Sequence, residues 1–347
     1  MDKNIDKNKI LDYLIAATDR RVFPGCALGW IVEGGEGVVA VGNHTYDAGA
    51  PAVTEESLFD CASITKAIPV SCLALRMIDR GTLGLDNRLI DFVPEYLGSF
   101  RGDIRVSHLL THTLDFDFRL SELKDLPPEK LLVSILNAKM RSAPGEKFCY
   151  ANATSILLGM LLEKAGGKPL HVLAEEAFFD PLGMNDSTFF PDDTENCVPT
   201  EIDEWRGRAI QGEVHDESAW ALRNIMTAGS AGLFSTAPDL LKFIRMLLDG
   251  DKSFFAPATI KAMHTNQIPR IAGQYTGLGW ELNQEYMGRT RTPSTFGKTG
   301  FTGCAVIIDR SRNAGLAMLS NCTWPSRKPN RDMINDVRSR IADMILG

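Results

Sequence analysis

An α+β fold is predicted: an antiparallel sheet flanked by terminal helices, with a mainly helical lobe set between the two halves of the sheet. Three observations lead there. Strand-like runs occur near both ends of the chain, the middle carries one helical period after another, and the strand runs are separated by short glycine-rich turns rather than by crossover helices.

Taken in order, the apolar spacing from about Lys9 to Arg21 is helical. "CALGWIVE" and "GVVAVGNHTY", split by "GGEG", read as a hairpin. A helical pattern runs from Ser63 to Asp79, with Gly81 as its stop. "PPEKLLVSILNAKM", "TSILLGMLLEKAGG" and "LHVLAEEAFF" each place apolar residues at a 3.6-residue period. "TAPDLLKFIRMLLDG" adds another helix, with Pro238 in the first turn, where a missing N–H costs little. "TGLGWEL", "STFGKTG", "FTGCAVIIDR" and "AGLAMLSN" then read as successive strands, and a last helix spans about Arg331 to Leu346. These runs assign residues 1–60 and 265–347 to the sheet-bearing lobe and 61–264 to the helical one, folded as a single unit with a cleft between them.

Bulk properties exclude several functions. The 347 residues are 44% hydrophobic and 23% charged, a globular composition with ample material for a core. A formal charge of −7 leaves no basic surplus for nucleic acid. No apolar run is long enough to span a membrane, and the N-terminus has no signal-peptide core. The seven cysteines are scattered without a CxxC pair, so neither a disulfide framework nor a zinc cluster is indicated. Together these features predict a cytoplasmic protein with no nucleic-acid or membrane partner, no metal and no cofactor.

Three short motifs carry the chemistry. In "FDCASITKAIPVS", Ser63 and Lys66 stand at i and i+3, so a helix would bring the amine to the hydroxyl. A serine needs a base before it attacks, and a lysine can be that base when burial or nearby charge holds it neutral. The pattern alone is weak, since "SELK" repeats it at Ser121 and Lys124. That copy lies in a charged stretch, whereas nearly every neighbour of Ser63 and Lys66 is small or apolar. A buried lysine requires partners and is therefore a candidate for function. "YAN" places Tyr150 and Asn152 after a Pro144-Gly145 turn, where Asn152 can cap the following helix. A phenol beside a lysine can also shuttle a proton to a leaving group. "GKTG", from Gly297 to Gly300, ends one strand and leads into another, and its lysine and threonine suit a carboxylate.

SxxK, YxN and KTG, in that order and at these separations, resemble the serine β-lactamase and penicillin-binding protein superfamily. The tyrosine of "YAN" makes the chain most similar to the class C β-lactamases, the low-molecular-weight D-alanyl-D-alanine peptidases and the family VIII carboxylesterases. "LLTHT", "PGEKFCYANATSILLGMLLE", "PLGMNDSTF" and "AGLFSTAPDLLKF" extend the likeness over nearly the whole chain. The resemblance implies a β-lactamase/transpeptidase-like fold and a serine hydrolase working through an acyl-enzyme. Ser63 would be the nucleophile, and Lys66 and Tyr150 would share the proton transfers, with the choice of base open. Asn152 would bind substrate and Lys66. Lys298, Thr299 and Gly300 would line the substrate site, the first two meeting a carboxylate. The backbone N–H groups of Ser63 and Phe301 would form the oxyanion hole.

Departures bear on the substrate, which is expected to be a small ester, amide or peptide-like molecule. Phe301 stands where many β-lactamases have serine, "THTLDF" replaces the relatives' "THTSG", and the secretion signal is missing. The missing signal favours an esterase or amidase over a β-lactamase or a D-alanyl-D-alanine carboxypeptidase, and a non-catalytic binding protein on the same fold is the less favoured alternative. The KTG lysine pulls the other way, toward a substrate bearing a carboxylate. His108 and His112, at i and i+4 in "HLLTH", are read as structural rather than metal-binding. "GEVHDESAW" is read as an exposed charged loop at the cleft mouth.

Overall fold

The computed structural model describes residues 5–327 and 331–347. Helix α1 (Lys7–Asp19) is capped by the Asp6 side chain, which accepts from the Lys9 N–H at 3.1 Å. Strands β1 (Gly25–Val32) and β2 (Gly35–Gly42) form the expected hairpin, paired antiparallel from Gly25 opposite Gly42 to Val32 opposite Gly35. Near the other end come β3 (Glu281–Leu282), β4 (Thr295–Thr299), β5 (Ala305–Asp309) and β6 (Ala314–Ser320). All six join one sheet in the order β2-β1-β6-β5-β4-β3, so the two ends of the chain meet where β1 lies antiparallel to β6.

Strand β1 is buried on both faces, and its period of two divides the core. Leu28, Trp30 and Val32 face α1 and the C-terminal helix, packing in one cluster with Ile10, Leu14, Val337 and Ile341. Ala27 and Ile31 face the other way, into the larger core shared with the helices of the middle segment. Each fully buried Leu or Ile contributes roughly 1.5–3 kcal/mol. Helix α2 (Cys72–Asp79), α3 (Asn152–Gly166), α4 (Glu217–Leu222), α5 (Ala237–Asp249) and α6 (Arg331–Leu346) are the helices that bear on the site. Helix α5, although it belongs to the middle segment, lies directly on the sheet. A Cβ at Gly29 of β1 would stand 2.8 Å from the Leu241 Cδ1 of that helix, so the contact needs a residue without a side chain.

Two elements differ from expectation. The single helix predicted over Ser63–Asp79 is broken into a 3-10 turn (Ala62–Lys66), a π turn (Ala67–Ser71) and α2. Pro69 accounts for the break: the residue before a proline is pushed out of the helical region, and Ile68 sits at φ −113°, ψ 112°. In "TGLGWEL" only Glu281 and Leu282 form a strand.

Candidate active site

The segment carrying Ser63 is held from both sides. Phe59–Asp60 pairs antiparallel with Phe234–Ser235, and the Cys61 N–H donates to the Leu233 carbonyl at 2.8 Å. Asp60 is buried and accepts from the Ala62 N–H at 2.7 Å and the His215 N–H at 2.6 Å. Those bonds fix a tight turn in which Ala62 adopts φ +45°, a left-handed conformation costing a non-glycine residue about 1–2 kcal/mol. The turn sets Ser63 at the start of the 3-10 segment with Lys66 one turn on.

Lys66 is 2% exposed. Its Nζ donates to Ser63 Oγ at 2.9 Å and to the Ser230 carbonyl at 2.6 Å. Ser230, and not Asn152, is thus the second partner of this amine. The other SxxK copy does nothing comparable: Ser121 is exposed, and the Lys124 ammonium lies over the Trp205 ring.

Tyr150 stands at the mouth of the cleft, its ring 5.3 Å from the Lys66 Nζ and 4.3 Å from the Lys298 Nζ. Close packing around the phenol raises its pKa. The positive charges of Lys298 and Lys66, with a hydrogen bond to Ser63, outweigh that and leave it below the usual tyrosine value. The same two ammonium groups act on His112, whose ring packs on Tyr150 at 4.8 Å. Burial and then those charges hold His112 well below the usual histidine range, so it is a neutral imidazole at physiological pH. His112 does not share a helix face with His108. The helix Val106–Leu110 ends before it, and His112 takes φ +52°.

Lys298 lies on β4 and is 2% exposed. Its Nζ pairs with Glu281 Oε1 at 2.6 Å, while the Tyr286 hydroxyl donates to the other oxygen of that carboxylate at 2.8 Å. Burial depresses the ammonium, but Glu281 and then Tyr150 more than compensate and keep it a cation. Glu281 is opposite Gly297, next to Lys298, in the β3–β4 register. Its position was not anticipated, although a carboxylate inside "GLGWEL" is the kind of signal that could have marked it.

Thr299, Gly300 and Phe301 follow on the rim of the sheet. A Cβ on Gly300 would stand 2.4 Å from the Cys61 carbonyl oxygen, so only glycine lets this turn lie against the Ser63 segment. The Thr302 hydroxyl ties the same two segments together by donating to the Asp60 carbonyl at 2.7 Å. From α6, the buried Arg338 Nη2 donates to the Gly300 and Cys304 carbonyls at 3.0 and 2.9 Å. Arg338 is another residue the motifs did not reveal. Ser63, Tyr150, Glu281, Thr299, Gly300, Phe301 and Arg338 line one cavity of about 200 Å³.

Asn152 is the first residue of α3 rather than its cap, which falls at Ala151. It donates instead to Asp216 at 2.7 Å and to the Ser218 hydroxyl at 3.3 Å. The "GEVHDESAW" segment is not an exposed loop. Asp216 caps α4, and His215 is buried and stacked on the Phe301 ring at 5.6 Å. His215 Nε2 meets Glu201 at 2.9 Å, and Arg327 bridges Glu201 and Glu217.

Burial raises the Glu201 pKa, but the hydrogen bonds with His215 and Arg327 dominate and bring it to about 2. Because that lies below the ordinary 4.5, the carboxylate adds stability above pH 4.5 and loses it as pH falls from 4.5 toward 2. The contribution is no more than about 3 kcal/mol. In denaturant melts, the gap between the wild type and Glu201→Gln is expected to shrink from pH 6 to pH 3, and an unchanged gap would count against this assignment.

Among the described residues, no group of three or more His, Cys, Asp or Glu gathers as a metal site, and no helix is long and apolar enough to cross a membrane. No disulfide forms among the described residues.

The mixed α+β architecture, with a serine–lysine pair set beside its sheet, is that of the serine hydrolases of the β-lactamase/transpeptidase fold. Residues 11–338 match the family described as Beta-lactamase, and the chain belongs to that family. It is 27% identical over 320 residues to the Escherichia coli (strain K12) protein named "Putative D-alanyl-D-alanine carboxypeptidase", covering 80% of this chain and 73% of that one. It is 26% identical over 302 residues to the "N-acetylmuramyl-L-alanine amidase" of Bacillus subtilis (strain 168), covering 76% and 68%. Similar solved structures include EstCE1, a hydrolase with promiscuous acyltransferase activity, at TM-score 0.78, 21% identity and 98% coverage of both chains. A class C β-lactamase matches at TM-score 0.78 and 22% identity, covering 99% of this chain and 100% of its own.

Proposed function

We propose that the protein hydrolyses small esters or amides through an acyl-enzyme on Ser63, with esters favoured over β-lactams. The observation that carries this reading is the 2.9 Å bond between the buried Lys66 amine and the Ser63 hydroxyl, with Tyr150 alongside. In the first step Ser63 Oγ bonds to the substrate carbonyl carbon, and its proton passes to the Lys66–Tyr150 pair. The carbonyl oxygen becomes an oxyanion received by the N–H groups of Ser63 and Phe301. As the intermediate collapses, the bond to the leaving group breaks and Tyr150 returns the proton to it. Water then attacks the acyl-enzyme by the same route reversed, releasing the acid and restoring Ser63. Asn152, held by Asp216, and Thr299 and Gly300 line the path of the substrate.

Two features favour esters. Lys298, which would otherwise receive a β-lactam carboxylate, is already paired with Glu281. Phe301 also narrows the side of the cleft where smaller residues would admit a bulky leaving group. The carboxypeptidase reading is kept by the name of the Escherichia coli relative and by the intact KTG. A panel of nitrocefin, a p-nitrophenyl ester and a D-alanyl-D-alanine peptide separates these activities. Measurable short-chain ester hydrolysis with weak or no nitrocefin turnover is expected, whereas efficient nitrocefin hydrolysis or cleavage of the peptide alone would reverse the ranking.

A further inference from the structure

A second cavity, of about 410 Å³, adjoins the first across Tyr150 and runs between the segment 116–121 and Asn152. Phe116, Phe118, Leu120 and Ala151 give it an apolar wall, and Ser121, Asn152, Asp216 and Ser218 make much of the rest polar. Its charged groups are accounted for one by one. Asp216 is engaged by Asn152 and the Ala219 N–H, and Glu217 by Arg327. Arg141 donates to Asp115 and to the Phe116 carbonyl. Arg119 has no carboxylate partner among the described residues, and it lies near enough to Cys149 at the cavity wall for its charge to act on that thiol. On the opposite side of the cleft the cations are spent: Lys66 on Ser63 and Ser230, Lys298 on Glu281, and Arg338 on two backbone carbonyls.

We infer that this cavity receives the acyl portion of the substrate, and that the acyl chain ends in a carboxylate read by Arg119 rather than by Lys298. The inference rests on the proposed acyl-enzyme chemistry. The smaller cavity holds Ser63 and the Gly300–Phe301 turn, where the carbonyl and leaving group must sit, so the larger one is left for the rest of the acyl group. A cavity with one apolar wall and, at its rim, an exposed guanidinium without a carboxylate partner fits a short alkyl chain with an anionic end. It also reconciles the two opposing hints in the sequence: a carboxylate is recognised, but not at KTG.

The test compares p-nitrophenyl hexanoate with mono-p-nitrophenyl adipate, two esters of equal chain length whose acyl ends are a methyl and a carboxylate. The wild type is expected to favour the adipate in kcat/KM by roughly five- to tenfold at low salt, the scale of one charge-assisted contact at a cavity rim. Arg119→Gln should bring the ratio close to one and Arg119→Lys should restore part of it. Lys124→Gln, which removes a nearby surface charge, should leave the ratio at its wild-type value. Hydrolysis of the hexanoate without any preference for the adipate, or a preference that survives Arg119→Gln, overturns the inference and leaves the acyl-enzyme reading standing. Failure to hydrolyse either ester, with no labelling of Ser63, overturns both.

Discussion

Replacing Ser63 with alanine is expected to lower kcat/KM for p-nitrophenyl esters by at least ~10³-fold, with the fold retained. The size follows from what is lost: without the hydroxyl no covalent intermediate forms, and only binding and oxyanion stabilisation remain. The fold should survive because Ser63 Oγ bonds only the site residues Lys66 and Tyr150, and that amine keeps the Ser230 carbonyl. Losing a hydrogen bond at a half-buried site costs about 1 kcal/mol. Circular dichroism melts and ester hydrolysis on the same preparation check both halves. Activity within tenfold of the wild type would remove Ser63 from its role.

Lys66→Met should be nearly as damaging to the rate and more so to stability. Methionine fills much of the same volume but can neither hydrogen-bond the Ser63 hydroxyl nor place a positive charge beside Tyr150. Disabling the Lys66–Tyr150 pair that takes the proton lowers rates by about 10²–10⁴-fold. The charge matters separately. Lys66 is one of the two cations that bring the Tyr150 phenol below its usual value, so its removal should shift the alkaline limb of any residual pH–rate profile upward. It also leaves the buried Ser230 carbonyl without a partner, at a cost of about 1–3 kcal/mol. A residual rate within tenfold, or an unmoved profile, would place the proton transfers elsewhere.

The sequence disclosed those parts of the molecule that depend on local period and punctuation. The β1–β2 hairpin, the strands near the C-terminus, α5 with Pro238 in its first turn and α6 all follow from spacing that one face of a strand or helix must bury. The break at Ile68 was written in Pro69, but a long apolar run concealed it. At the site, the motif residues could be named from order and context, yet their partners could not. Glu281, Arg338, Asp60 and Ser230 reach the cleft through sheet register, a helix docked from the far end of the chain, or a backbone carbonyl, and no motif spacing marks these placements. A carboxylate within an otherwise apolar stretch was the usable hint, both in "FDCAS" and in "GLGWEL". The segment around His215 misled for the opposite reason. Its charges suggest solvent, but Glu201 and Arg327, distant in sequence, neutralise them in a buried network.

The central claim is that Lys66 activates Ser63 for covalent attack, and intact-mass spectrometry after incubation with a fluorophosphonate tests it most directly. The account predicts a single adduct that peptide mapping places on Ser63, absent in Ser63→Ala and slowed in Lys66→Met. No adduct on the wild-type protein, or an adduct that persists in Ser63→Ala, would contradict it.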